Sequence, residues 1–262
     1  MDFAGLTTVN IELTSRCNKT CGMCGRRKIE RDFPELVDWG DMDFGLVEKI
    51  ASELPDRIVV QFHNNGEGLL FPRFGEATQL FKKQYRCITT NGKLLIEKAD
   101  EIMGNLHSVA VSIFRHDREA SEQYSIVREF VKLKGRRRPI MIWRCLDEVN
   151  FKIWEQLPGI IVKRVLHEAM GSRGYQKEVT KPEIGVCLDL LNHMSIDRYG
   201  NVSTCVRFDP HKQAVIGNVN EQSLAEIWDG KERKQILKKH WAGKRNELSF
   251  CAACDFWGVP TG

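Results

Sequence analysis

Seven of the nine cysteines in this 262-residue chain fall into two groups, and their spacing is the first sign of chemistry. Cys17, Cys21 and Cys24 lie within the eight residues CNKTCGMC, while Cys187, Cys205, Cys251 and Cys254 occupy the last third; Cys87 and Cys145 stand alone. An odd number of cysteines argues against a disulfide framework and for reduced thiols that bind metal. Three thiolates at spacings of four and three suit a cubane iron–sulfur cluster, with one iron left without a protein ligand. An open coordination position is what separates a reactive metal site from a structural one. Zinc at this site would need a fourth ligand, and no His, Cys or Asp lies suitably close by. The second group supplies four thiolates, which hold zinc or a 4Fe–4S cluster equally well on ligand type alone.

These groups need elements to position them. Strand-like runs at 7–14, 57–63, 86–92, 108–114, 139–145 and 159–169 alternate with amphipathic segments such as 43–54, 74–85 and 93–104. That alternation predicts βαβ units and a parallel sheet. Six such units are too few for a closed eight-fold barrel. The expected fold is therefore α/β, an open, partial (β/α)6 barrel over 1–172. The three-cysteine loop follows its first strand, at the strand end where barrels place their chemistry. Residues 171–185, with Gly, Pro and mixed charge, read as a linker. Beyond them, 193–208 reads as a hairpin around Gly200-Asn201, and Ser223-Leu-Ala-Glu226 as a capping box ahead of a helix over 227–241. Residues 173–262 thus form a small C-terminal module of β-hairpin plus helix, with a core slight enough to need its four cysteines as staples.

Composition is that of an ordinary globular protein, with 42% hydrophobic and 28% charged residues. The start, MDFAGLTTVN, shows no signal peptide, and no run approaches the length of a membrane span. The expectation is a cytoplasmic protein with no membrane partner. A net charge of +4 is mildly basic, and the dense cluster KLKGRRRP at 132–139 lacks interleaved aromatics. It reads as a solvated loop leading into a strand, so nucleic-acid binding is not expected.

In its ordered motifs the chain resembles the radical S-adenosylmethionine (radical SAM) superfamily. CNKTCGMC is similar to that family's C-x3-C-x-aromatic-C loop, with Met23 where an aromatic is usual. NNGEGLL after the second strand resembles the "GGE" element, and ITTNGKLL the third-strand "TNG" element. The resemblance implies a SAM-binding 4Fe–4S cluster on Cys17, Cys21 and Cys24, whose open iron is chelated by the amine and carboxylate of S-adenosylmethionine. One-electron cleavage then gives a 5′-deoxyadenosyl radical that takes a substrate hydrogen atom. It also implies that Glu67 binds the cofactor amino group, with Asn91 at the neighbouring strand end. The C-terminal module resembles the twitch form of the SPASM extension, which implies one auxiliary 4Fe–4S cluster on Cys187, Cys205, Cys251 and Cys254. Spacing and length most resemble members that oxidise a secondary alcohol of an aminocyclitol, with the auxiliary cluster accepting the electron. Peptide-modifying and epimerising members are the alternative, so the substrate is a small molecule or a peptide. A flavodoxin- or ferredoxin-type reductant is implied; a simple iron–sulfur electron carrier would have no use for Glu67 or the TNG element.

Other strand-end residues are candidates for the same site. Arg115 and Arg144 suit a cofactor carboxylate or a substrate oxygen, and Ser112 is a weaker candidate on the same face. Cys145 is either a hydrogen-atom donor or a buried packing residue; alternation forbids Arg144 and Cys145 from both facing inward. His63 and His167, with Glu168, sit at strand ends, where a histidine could take a hydroxyl proton near neutral pH. Cys87 and the tryptophans 143, 228, 241 and 257 read as packing.

Overall fold

Alternation along the strands produces a sheet with two unlike faces. The computed structural model describes residues 3–146, 149–164, 186–205, 209, 211–252 and 254. Its strands are β1 (Thr8–Ile11), β2 (Val59–Gln61), β3 (Tyr85–Thr90), β4 (Ser108–Phe114), β5 (Ile140–Leu146), β6 (Ile160–Arg164), β7 (His193–Ile196), β8 (Asn201–Ser203) and β9 (Val215–Asn218). They form one nine-stranded sheet in the order β6-β5-β4-β3-β2-β1-β7-β8-β9. All pairings from β6 across to β7 are parallel, and those of β8 and β9 are antiparallel. The helices are α1 (Gly25–Asp32), α2 (Phe44–Glu53), α3 (Phe74–Leu80), α4 (Ala99–Ile102), α5 (Ala120–Lys134), α6 (Leu188–Asn192), α7 (Leu224–Trp228), α8 (Lys231–Trp241) and α9 (Ser249–Ala252).

One face of the sheet is apolar. Val9, Ile11, Val60, Ile88, Val109, Val111, Ile113, Met141 and Trp143 share a core with Val47 and Ile50 of α2, Phe74 and Ala77 of α3, and Val127 and Phe130 of α5. Their neighbours in sequence point to the other, concave face and are mostly polar. Register aligns Asn10 with Gln61, Gln61 with Cys87, and Cys87 with Ser108 along that face. Burying polar groups without partners is costly, so a polar inner face is the mark of a chamber rather than of a second core.

The six expected strands are all present, as is the hairpin, but the hairpin does not stand apart. β7 pairs with β1 in parallel over four residues, inserting Met194 and Ile196, both fully buried, beside Val9 and Ile11. A strand buried on both sides cannot be an edge, and β1 offered the open edge that it needed. Trp228 Nε1 also donates to the Ala4 carbonyl at 3.1 Å, and the Leu224 N–H to Glu53 Oε2 at 2.6 Å. The capping box of Ser223 and Glu226 forms as expected. The helix expected over 227–241 is broken at Asp229-Gly230 into α7 and α8, because Gly230 takes an extended conformation as the cap of α8. The basic cluster is also less of a loop than expected: Lys132 and Lys134 close the last turn of α5, and the buried Lys134 donates to the Gly135 and Arg137 carbonyls.

Candidate active site

The three-cysteine loop leaves β1 through Thr14 and Ser15, both pinned to the Gly40 carbonyl. Gly66 lies flat against this exit: a Cβ there would meet the Thr14 carbonyl at 2.1 Å, so only glycine lets the two backbones touch. Cys24 caps α1, and its N–H donates to the Cys21 carbonyl at 3.1 Å. The buried Arg26 in the first turn of α1 donates to the Ser15 carbonyl and stacks 3.9 Å from the Trp39 ring. Burial pushes the Cys21 thiol up to about 11; Lys19 opposes this, and the nearby Cys24 and Cys17 add to it. Three thiols on one loop, with Cys21 and Cys24 raised chiefly by burial, are a fitting donor set for a cluster, whose iron would displace their protons.

The ends of β2 and β3 meet this loop. Asn91 Nδ2 lies 3.9 Å from Cys17 Sγ and donates to Asn18 Oδ1 at 2.8 Å. Glu67 is 2% exposed, and protein groups engage both of its oxygens. Oε1 accepts from Thr90 Oγ1 at 2.8 Å and the Leu69 N–H at 3.3 Å, and Oε2 from the Asn91 N–H at 2.8 Å. Burial raises its pKa above the usual carboxylate range, against the pull of these donors. Glu67 therefore joins the GGE-like loop to the TNG-like end, with Oε2 still holding one accepting site for a ligand. Gln123, from α5, donates to the Asn91 carbonyl at 2.7 Å and the Ser112 carbonyl at 3.0 Å, tying the β3 and β4 ends together.

On the concave face, Ser112 pairs in register with Arg144, and the next pair, Ile113 with Cys145, points the other way. Cys145 is 1% exposed and belongs to the apolar core with Trp143. That placement corrects its candidacy as a hydrogen-atom donor. His63 shares the concave face with Arg144, His193 and Arg164, whose charges, after burial, hold its imidazole down to about 3. It is neutral near pH 7 and its Nδ1 is buried without a hydrogen-bond partner. A histidine with that pKa accepts hydrogen bonds but is a poor proton acceptor, which corrects the expectation of a base poised near neutrality. Arg115 is exposed at the far end of β4. His167 and Glu168 lie outside the described residues.

Sequence reasoning missed the groups that organise this face. Asn10 donates to the His63 carbonyl at 3.0 Å and pairs with His193 Nε2 at 2.7 Å. Glu12, 4% exposed, accepts from the Asn65 N–H and Nδ2 at 3.1 and 3.0 Å. Polar residues at every second position of an otherwise apolar first strand were the signal available for Asn10 and Glu12. Nothing local marked Gln123.

The four C-terminal cysteines converge. Cys187, Cys205, Cys251 and Cys254 line one cavity of about 100 Å³, walled also by Leu190, Ala214, Ile236, Leu248 and Phe250. Burial, then the charges of Cys187 and Cys254, push the Cys251 thiol up to about 12, with Arg245 opposing. Arg245 donates to the carbonyls of Cys251 and Cys254, holding the CxxC turn. Four thiols in an apolar wall suit a fully ligated cluster or zinc by donor chemistry, and among the described residues no three metal-binding side chains gather around a single ion position.

Residues 187–255 match the SPASM iron–sulfur cluster-binding domain. The chain is 23% identical over 260 residues to the S-adenosyl-L-methionine-dependent 2-deoxy-scyllo-inosamine dehydrogenase of Niallia circulans, covering 97% of this chain and 94% of that protein. It is 34% identical over 108 residues to the tungsten-containing aldehyde ferredoxin oxidoreductase cofactor-modifying protein of Pyrococcus furiosus, covering 39% of this chain and 28% of that one. The crystal structure of BtrN in complex with AdoMet and 2-DOIA is similar at a TM-score of 0.63 and 18% identity, over 95% of this chain and 93% of BtrN. Streptococcus suis SuiB bound to precursor peptide SuiA is similar at 0.63 and 13% identity, over 87% of this chain and 65% of SuiB. The four-thiol cavity beyond β7 thus lies in a SPASM-type iron–sulfur module, and over nearly its whole length the chain is similar to an S-adenosyl-L-methionine-dependent dehydrogenase.

Proposed function

We propose that this protein is a cytoplasmic radical SAM oxidoreductase that oxidises a secondary alcohol of a small polyol, sugar or aminocyclitol. Cys17, Cys21 and Cys24 would hold a SAM-binding 4Fe–4S cluster, and Cys187, Cys205, Cys251 and Cys254 an auxiliary 4Fe–4S cluster. When bound, these groups supply one-electron cleavage of S-adenosylmethionine, hydrogen-atom abstraction and an electron acceptor, with a flavodoxin- or ferredoxin-type protein as reductant. The chain's own residues bind and orient. Asn91 lies against Cys17, where it borders the open side of the loop. Ser112 and Arg144 lie in register on the polar face of the sheet, and their hydroxyl and guanidinium would suit substrate oxygens. The neutral His63 would accept a hydrogen bond from a substrate hydroxyl and so fix which carbon faces the loop.

The four-thiol cavity is the observation that carries this reading. Oxidation must send an electron somewhere, and a cluster with all four irons held by protein serves as acceptor without needing an open position. Similarity to the inosamine dehydrogenase over nearly its whole length supports the substrate class. The likeness to SuiB favours a second reading, a peptide substrate, with this chain spanning 65% of that larger protein. Turnover in heavy water separates the outcomes. A dehydrogenase gives a product two electrons more oxidised, with no deuterium at the abstracted carbon. A singly deuterated product of unchanged oxidation level would replace this reading with epimerisation.

A further inference from the structure

Lys19 lies between two of the loop's cysteines, where a lysine would ordinarily reach into water. It does not. Its ammonium meets Asp117 Oδ2 at 2.5 Å, each side chain being 4% exposed, and Glu119 Oε2 at 3.6 Å. Glu119 in turn accepts from Lys93 Nζ at 2.8 Å, and Phe114 covers the Lys19 ammonium with its ring centre 5.1 Å away. Asp117 and Glu119 lie between β4 and α5, ninety-eight residues from Lys19 in the case of Asp117. A buried ion pair is weak evidence for stability, because desolvating two charges offsets most of their attraction. Stability alone thus gives little reason for this pair to be buried, but its position does. Of its two charges, that of Lys19 weighs more on Cys21 than that of Asp117.

We propose that the buried Lys19–Asp117 pair sets the reduction potential of the cluster held by Cys17, Cys21 and Cys24, with Lys19 a positioning residue that also seats the loop on the β4–α5 connection. The proposal rests on the cluster assignment made above. A cluster gains negative charge on reduction, and charge close by in a low-dielectric site is a lever on its potential. Lys19 makes reduction easier, and Asp117 tempers that effect.

The test exploits the opposite signs of the two partners. Anaerobically reconstituted full-length protein is titrated with a redox mediator series, following the electron paramagnetic resonance signal that changes on adding S-adenosylmethionine. Lys19→Met should shift that cluster to a more negative potential. Asp117→Asn should shift it to a more positive one, and the double variant should fall between Lys19→Met and the parent value. A structural role would move both single variants the same way; that result, or no shift in either, overturns the proposal. If Lys19→Met fails to take up iron, Asp117→Asn still decides the matter by the sign of its shift. Absence of any SAM-sensitive signal in the unaltered protein overturns the cluster assignment itself, an outcome distinct from a signal whose potential ignores these charges.

Discussion

The two thiol sites share one sheet and are built on opposite plans. The N-terminal loop carries its cysteines within eight residues and borrows its rigidity from elsewhere: Gly40, Gly66, Asp117 and Asn91 hold it from four other segments. The C-terminal cavity gathers its cysteines from three separate stretches, which a bound cluster would cross-link. Its local core is slight, with Ala214 and Phe250 forming a small cluster backed by Cys205, Cys251 and Cys254. One site is a ligand set displayed on a finished scaffold; in the other, the ligand set finishes the scaffold. This difference is what the proposed division of labour rests on, with chemistry at the first site and an enclosed acceptor at the second.

The sharpest way to break the comparison is to remove each set of thiols. Reconstituted protein should bind about eight irons, four at each site. Changing Cys17, Cys21 and Cys24 to Ala should leave about four, abolish cleavage of S-adenosylmethionine and spare the melting transition. Changing Cys251 and Cys254 to Ala should also leave about four, but should lower the melting temperature, because a small module without its metal loses folding energy. Equal thermal effects from the two sets, or zinc in place of the second four irons, would erase the distinction.

A smaller effect concerns acid. His63 has a folded-state pKa of about 3, below its unfolded value of 6.5. Its stabilising contribution is present above pH 6.5 and is lost as pH falls towards 3, at up to roughly 1.4 kcal/mol per pH unit. Denaturant titrations across that window should show the slope, and His63→Gln should flatten it. The smallest effect tests the C-terminal side. Ser223→Ala removes a capping box and should cost about 1 kcal/mol, read as a lowered denaturation midpoint with the iron count unchanged.

Much of this architecture was legible in the sequence because its signals are local. Strand alternation, the CNKTCGMC spacing and the Ser223 capping box each fit within a short window. What was not legible depends on partners far apart in the chain. The Lys19–Asp117 pair joins positions that no periodicity relates, and the same is true of Glu12 with Asn65. Glu67 could be located by its motif, yet its occupation by Thr90 and Asn91 follows from how β2 and β3 end together. Cys145 was ambiguous until register placed it with Ile113 on the core side. The joining of β7 to β1 was hidden too, since a hairpin's own sequence does not say which edge it will meet.

That last pairing has a consequence in time. β1 emerges from the ribosome first, while its neighbour β7 begins at His193. At 5–20 residues per second the nascent chain spends roughly 10–40 s with the β1 edge open. An open strand edge is a template for pairing with other chains, and here it leads straight into the three-cysteine loop. The order of translation thus leaves the sheet edge beside the first site open until the last third of the polypeptide, although the loop's own partners, out to Asp117, are made long before.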